Sequence, residues 1–424
     1  MVYVLNKYGE PLMPTTRYGR VRRLIGKGLA VVVDYRPFTI QLTYDTPNGV
    51  QEASLGVDAG TKHVGFSATT KKKVLFEAEL LLRSDIVEKL STRREFRRTR
   101  RNRKTRYREA RFLNRTRTKR PGWLAPSVQQ KVDCHLHWIM RICKLLPIKE
   151  ITVETAQFDA QLLKAQEQGL SLPRGTEYQK GEQLGFWNVR EYVLFRDGHK
   201  CQCCKGKSKD NKLHVHHIES RKTGGDAPNN LITLCSECHA KYHRGEIELP
   251  KTVRRGPSLR DATIMGIMRK TLFIRLDEEI GGDIPCFETF GYITKLIRTK
   301  NNLPKGHVID ARCISGNPKS YSNENRWVIR KLRANNRQLH KATILKGGIR
   351  KNNQAPREIR GFRLMDSVKL RGRQFYIKGR RITGQFALSN ITGRLCFNSI
   401  TFKQLKIVNH NNEYLMEVAA LTAD

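Results

Sequence analysis

Nowhere do the 424 residues string together the roughly 18 apolar positions that a membrane-spanning helix needs, so an integral helical membrane protein is excluded. The opening stretch, MVYVLNKYGEPLMP, lacks the charged flank, apolar run and cleavage site of a secretory leader. A soluble, cytoplasmic, nucleoid-associated protein is the expectation. Acidic residues are scarce: 39 Asp and Glu stand against 80 Lys and Arg, a formal charge of +41. Self-repulsion on that scale is costly unless a polyanion neutralises it, which points to nucleic acid. Proline and glycine are missing from residues 93–120 altogether. A disulfide framework is not expected either, because the ten cysteines belong to a reducing compartment. Cys134, Cys143, Cys286, Cys313 and Cys396 are scattered and read as small core residues. With 38% apolar residues the chain can support packed cores, and its length suggests roughly two to four domains.

The remaining cysteines are clustered. Cys201-x-x-Cys204 and Cys235-x-x-Cys238 lie about thirty residues apart, a spacing that suits four thiolates around one tetrahedral Zn²⁺. Cys203 reads as a bystander, with an exchange against Cys204 left open. Between the pairs, KLHVHHIES alternates like a strand, a Gly-Gly-Asp turn and NNLITLC follow, and SECHAKYHRGEI reads as a helix. His239 and His243 are four residues apart on that helix and share a face. His216 and His217, adjacent on a strand, face opposite ways and cannot do the same job. His214 is expected at the surface.

The His-His pair, the Asn before L-x-x-L-C-x-x-C-H and the terminal histidines resemble the HNH endonuclease family. That resemblance implies His217 as general base and Asn230 as the residue orienting its ring. It also implies His216 and His239, with His243 as a further ligand, around one Mg²⁺ or similar ion. A second, structural zinc on these histidines is the alternative.

Three carboxylates straddle this segment. EASLGVDAGTKHVGFSATT reads as strand, turn and strand with Asp58 where the first strand ends. LAPSVQQKVDCHLHWIMRICKLLPIKEITVE reads as a helix opened by a Ser127 and Gln130 capping box, then a short strand carrying Glu154. The helix stripe is Val132, Leu136, Ile139, Cys143 and Leu146. In FETFGYITKLIRTKNNLPKGHVIDARCIS an amphipathic helix and a break precede a second helix, on which His307 and Asp310 share a face. Singly each acid is as readily a cap or a surface group. Together GVDAG, ITVE and HVIDA resemble the RuvC-type nuclease domain of the RNase H-like superfamily, broken into three segments. The resemblance implies Asp58, Glu154 and Asp310 as ligands to two Mg²⁺ ions, with His307 assisting near the attacking water.

Residues 93–120, RREFRRTRRNRKTRYREARFLNRTRTKR, are more than half Lys and Arg, a density that self-repels on an isolated helix unless phosphate lies on several sides. The expected phosphate contacts are Arg93, Arg94, Arg97, Arg98, Arg100, Arg101, Arg103, Arg106, Arg108, Arg111 and Arg115. An arginine-rich bridge after the first segment of a split RuvC domain with an HNH insertion is the layout of RNA-guided nucleases. Pro11, Leu12, Met13 and Pro14 then spell the signature of the PLMP domain, so the chain resembles the transposon-encoded IscB family.

The implied architecture is an α/β multidomain protein. It has a PLMP domain at 1–52, RuvC segment I at 53–92, an arginine-rich bridge helix at 93–120 and RuvC segment II at 121–158. A linker at 159–185, a ββα-metal HNH domain at 186–250, and a linker with RuvC segment III at 251–322 follow. A β-rich basic domain at 323–424 is expected to contact guide RNA and a target-adjacent duplex, with Arg380 and Arg381 as phosphate contacts. The implied partners are a guide (omega) RNA and double-stranded target DNA, held by a monomeric ribonucleoprotein. HNH would cut the guide-paired strand and RuvC the displaced strand. A guide-free structure-specific nuclease and a catalytically silent RNA-binding regulator are the alternatives, and the intact acids and histidines count against the second.

Overall fold

The structure is a computed structural model. It describes residues 1–93 without 48 and 87, 95, 123–155, 189–250 without 209, 211 and 220–229, 260–322 without 281, 325–333, and 356–420 without 412. The chain divides into two compact units, one drawn from 1–107, 125–158 and 264–424, the other from 108–124 and 159–263. No described helix is long and apolar enough to cross a membrane.

The first unit opens with β1 (Tyr3–Leu5), α1 (Tyr18–Gly26), β2 (Ala30–Tyr35) and β3 (Phe38–Leu42), in a sheet of order β1-β3-β2. In α1 the apolar residues Val21, Leu24 and Ile25 recur at helical spacing and pack on Val2, Val4 and Ile40, leaving the intervening arginines outside. Next come β4 (Ala53–Asp58), β5 (His63–Thr69) and β6 (Val74–Leu81), an antiparallel meander. Helix α2 (Pro126–Leu145) then delivers β7 (Ile148–Thr155) parallel to β4. Leu55, Val57, Ile151 and Val153 are fully buried, as central strands covered on both faces require. The expected capping box does not form: α2 begins at Pro126 with Ala125 as its cap, and Ser127 falls inside the first turn. Proline at the first helical position carries a helix-ready φ and needs no partner for the N–H it lacks.

The second unit holds α3 (Val189–Arg196), β8 (Leu213–His217), β9 (Leu231–Cys235) and α4 (Ser236–His243). The helix expected through Ile247 stops at His243, because Gly245 turns the chain with a φ of +75°.

Helix α5 (Arg260–Ile280) follows the stretch read as a linker. Its buried Met265, Met268, Leu272 and Leu276 lie three to four apart, a helical signal that the sequence did carry. Strand β10 (Cys286–Phe290) was read as the start of a helix. It is an edge strand parallel to β7, and its mixed exposure hides the alternation of a strand. Helices α6 (Gly291–Lys300) and α7 (His307–Ile314) follow, then β11 (Asn325–Lys331), parallel to β6.

The stretch 323–424, expected as one β-rich domain, is shared between two sheets. Strands β12 (Ser367–Leu370), β13 (Arg373–Arg380), β14 (Gln385–Ser389), β15 (Leu395–Thr401) and β16 (Lys406–Asn409) form a five-stranded sheet over Val368, Ile377, Phe386 and Leu388. By contrast β11 and β17 (Tyr414–Ala420) complete a seven-stranded sheet of order β10-β7-β4-β5-β6-β11-β17. Burial of Ile329, Leu415 and Met416 draws these two strands to it.

Two strand glycines decide how α7 sits. A Cβ on Gly56 would lie 2.0 Å from the Ala311 carbonyl oxygen, and one on Gly65 would lie 2.0 Å from that of His307. Without them the helix backbone could not approach β4 and β5 so closely.

Candidate metal centres

Strands β4 and β7 pair Asp58 directly with Glu154. The close approach of α7 adds His307, whose Nδ1 lies 2.6 Å from Asp58 Oδ2. That hydrogen bond, more than any other influence, raises the His307 pKa. Glu154 accepts a hydrogen bond from the Thr294 hydroxyl, yet burial pushes its carboxyl up to about 7, with repulsion from Asp58 and Asp310 adding to the rise. Burial and Asp58 likewise raise Asp310. Its Oδ1 faces Arg298 Nε at 2.8 Å as an ion pair, but out of line for a hydrogen bond. Half-buried acids held back from ionising by desolvation and mutual repulsion, offering hard oxygen donors, fit Mg²⁺.

In the second unit, His216 and His217 pair with Ile232 and Leu231 across β8 and β9, and they face opposite ways. His216 is buried and His217 half-buried. Helix α4 brings His239 and His243 beside His216, with ring centroids 5.0 and 5.1 Å away and their own Nε2 atoms 3.3 Å apart. Burial, then the neighbouring histidines, push His216 down to about 4, which leaves it in the neutral, metal-ligating form at pH 7. Asn230 is fully buried. Its side chain accepts from Glu219 N at 2.9 Å and donates to Glu219 O at 3.1 Å, clamping the backbone just beyond His217. His214, expected at the surface, is half-buried. It stacks on His239 at 5.2 Å and lies 3.1 Å from Ser236 Oγ.

Cys201, Cys204, Cys235 and Cys238 bring their sulfurs within 4.8 Å of one another, as do the ligand nitrogens of His216, His239 and His243. Cys204 and Cys235 are 3.9 Å apart, against about 3.8 Å between two thiolates on one tetrahedral zinc. The Ser208 hydroxyl lowers Cys204 to about 6, while burial raises Cys201 and Cys238. Four such thiols ionise together only around a cation, so the donor set is that of a zinc site. Cys203 packs beside the cluster without joining it.

Residues 2–181 match the family model described as RRXRR protein, and residues 201–245 match that described as HNH endonuclease. The chain belongs to the IscB/Cas9-like HNH nucleases. Anaredoxin of Nostoc sp. is 35% identical to this nuclease over 62 residues, which are 14% of the present chain and 79% of anaredoxin. Two solved structures are distantly similar, Streptococcus thermophilus Cas9 in complex with AGGA PAM and with AGAA PAM. Their identities are 13% and 12% and their TM-scores 0.28 and 0.29, each covering 46% of this chain. The chain spans about a quarter of their length, 26%.

Several expected contacts of the nuclease lie outside the described residues: Arg94 and the arginines of the bridge from Arg97 onward, together with the linker at 159–185 and residues 251–259 of the second linker. Of the two C-terminal arginines, Arg381 is exposed, but Arg380 donates to the carbonyls of Arg357 and Phe362 and so braces its own sheet. Cys396, expected in a core, is exposed, whereas Cys134 and Cys313 are buried. His63 was missed. It stacks on His307 at 5.2 Å, nearly parallel, and its Nδ1 meets Glu79 Oε1 at 2.9 Å. Its only sequence signal was a histidine at the start of the strand after GVDAG.

Proposed function

We propose that the chain is an RNA-guided DNA endonuclease of the IscB type, in which an omega RNA pairs with target DNA beside a target-adjacent motif. The observation that carries this reading is the presence of two clusters in separate compact units: Asp58, Glu154, His307 and Asp310 in one, and His216, His239 and His243 in the other, with His217 next to His216 on β8 and facing the opposite way. Two sites on one chain suit the cutting of two strands. The strand order β10-β7-β4-β5-β6, with β4, β7 and β10 parallel, supports an RNase H-like nuclease for the first.

At the first centre Asp58, Glu154 and Asp310 would hold two Mg²⁺ ions, which when bound supply an activated water and neutralise charge on the phosphate. His307, held at Nδ1 by Asp58, stands ready to move a proton beside the displaced strand. At the second centre His217 takes the proton of the water attacking the guide-paired strand, and Asn230 holds the strand end that positions it. The Mg²⁺ expected here prefers oxygen ligands, so the described all-imidazole set fits it poorly and better suits a borderline divalent ion.

The test is cleavage of a target labelled on both strands, by protein loaded with its guide. His217→Ala should lower guide-paired cleavage by about 10²- to 10⁴-fold and leave a nickase for the displaced strand. Asp58→Ala should leave the opposite nickase. Full double-strand cleavage by either variant would refute two independent centres.

A further inference from the structure

Residues that face one another across the seven-stranded sheet form a row: Glu154 on β7 pairs with Asp58 on β4, Asp58 with Gly65 on β5, and Gly65 with Glu79 on β6. Residues paired in this way project from the same face of a sheet. Helix α7 lies on that face at Gly65, so His307 stands in the row between the Asp58 and Glu79 carboxylates. Asp58 takes its Nδ1, at 2.6 Å. Glu79 is held by other groups, its Oε1 accepting from His63 Nδ1 at 2.9 Å and its Oε2 facing Arg326 Nη1 at 3.4 Å.

His63 lies two residues before Gly65 on β5 and therefore on the same face. Its ring is nearly parallel to that of His307, with 7° between the planes and 5.2 Å between the centroids. A single hydrogen bond fixes the direction of one nitrogen but lets the ring pivot about that line. A parallel ring against its face stops the pivot, and the bond to Glu79 keeps that second ring from turning. The hold of Asp58 is also shared, because its carboxylate is a proposed metal ligand, whereas the stack does not depend on Asp58. We infer that His63 is a positioning residue for the carboxylate centre: anchored on Glu79, its ring braces the face of His307 and so fixes where the second nitrogen, Nε2, points. The inference rests on reading His307 as the group that moves a proton at this centre.

Three variants separate the ring from its hydrogen bond. His63→Ala removes both, His63→Phe keeps a ring and loses the donor, and His63→Asn keeps a donor for Glu79 and loses the ring. Guide-loaded proteins would be compared by strand-resolved single-turnover cleavage at saturating protein, with target affinity measured separately. Loss of an aromatic contact of ordinary strength should slow displaced-strand cleavage about 2- to 10-fold in His63→Ala and His63→Asn, with target affinity and guide-paired cleavage held. His63→Phe should restore the rate. In metal-free protein carrying isotope-labelled histidine, the His307 ring protons, assigned by their loss in His307→Gln, should move downfield in His63→Ala and His63→Asn and stay upfield in His63→Phe. A parental displaced-strand rate in His63→Ala would overturn the proposal. Recovery in His63→Asn instead of His63→Phe would overturn it too, by making the Glu79 bond alone responsible. Failure of the nuclease reading looks different: the parent itself would leave the displaced strand uncut, while the ring resonances still reported the stack and upheld the brace.

Discussion

Replacing Gly65 with alanine should silence one centre without touching the other. The new Cβ would stand 2.0 Å from the His307 carbonyl oxygen and 2.5 Å from its carbon. Ordinary contact begins near 3.4 Å, so the start of α7 must retreat by roughly 1.4 Å. The atoms in the way are backbone and cannot swing aside as a side-chain tip would. His307 and Asp310 travel with that helix, while Asp58 and Glu154 stay on β4 and β7. A misplacement of about 1 Å costs on the order of 10²-fold in rate, and overpacking costs about 1–3 kcal/mol of stability. Gly65→Ala should therefore cut the displaced strand about 100-fold more slowly, with guide-paired cleavage unchanged and a lower thermal midpoint. Strand-resolved single-turnover cleavage, beside a thermal melt, is the assay. A folded variant with an unaltered displaced-strand rate would refute the view that the glycine sets the position of α7.

Cys204→Ser should release about one zinc per chain and unfold the second unit, since structural zinc contributes roughly 10 kcal/mol or more to such small domains; metal analysis and circular dichroism would read it. Displaced-strand cleavage should survive that change. Glu154, raised to about 7 from 4.5, lends the metal-free protein stability that is full below pH 4.5 and lost as pH rises through about 7. Melting across that range should show a falling midpoint in the parent and a flatter profile in Glu154→Gln.

What the sequence determined by itself was local chemistry. The Cys-x-x-Cys pairs were readable because a tetrahedral zinc demands close thiolates, and short turns supply them. His239 and His243 were readable because a helix repeats every three to four residues. The opposite facing of His216 and His217 followed from the pleat of a strand. Asp58, Glu154 and Asp310 could be named only from their surroundings and a family likeness, since nothing in a linear chain measures the distance between them.

Tertiary structure decided the rest. The register of β4 against β7 sets Asp58 beside Glu154, and the bare backbones of Gly56 and Gly65 admit α7. The stack of His63 on His307, and the return of β17 to the seven-stranded sheet after the five-stranded one, join residues far apart in the chain. The Ser127 capping box failed because Pro126 started the helix one residue earlier. Arg380 turned inward because neighbouring carbonyls from another loop claimed it. Local periodicity reports which face of an element is apolar, but which partner covers that face depends on long-range packing, and that is where the carboxylate centre is made.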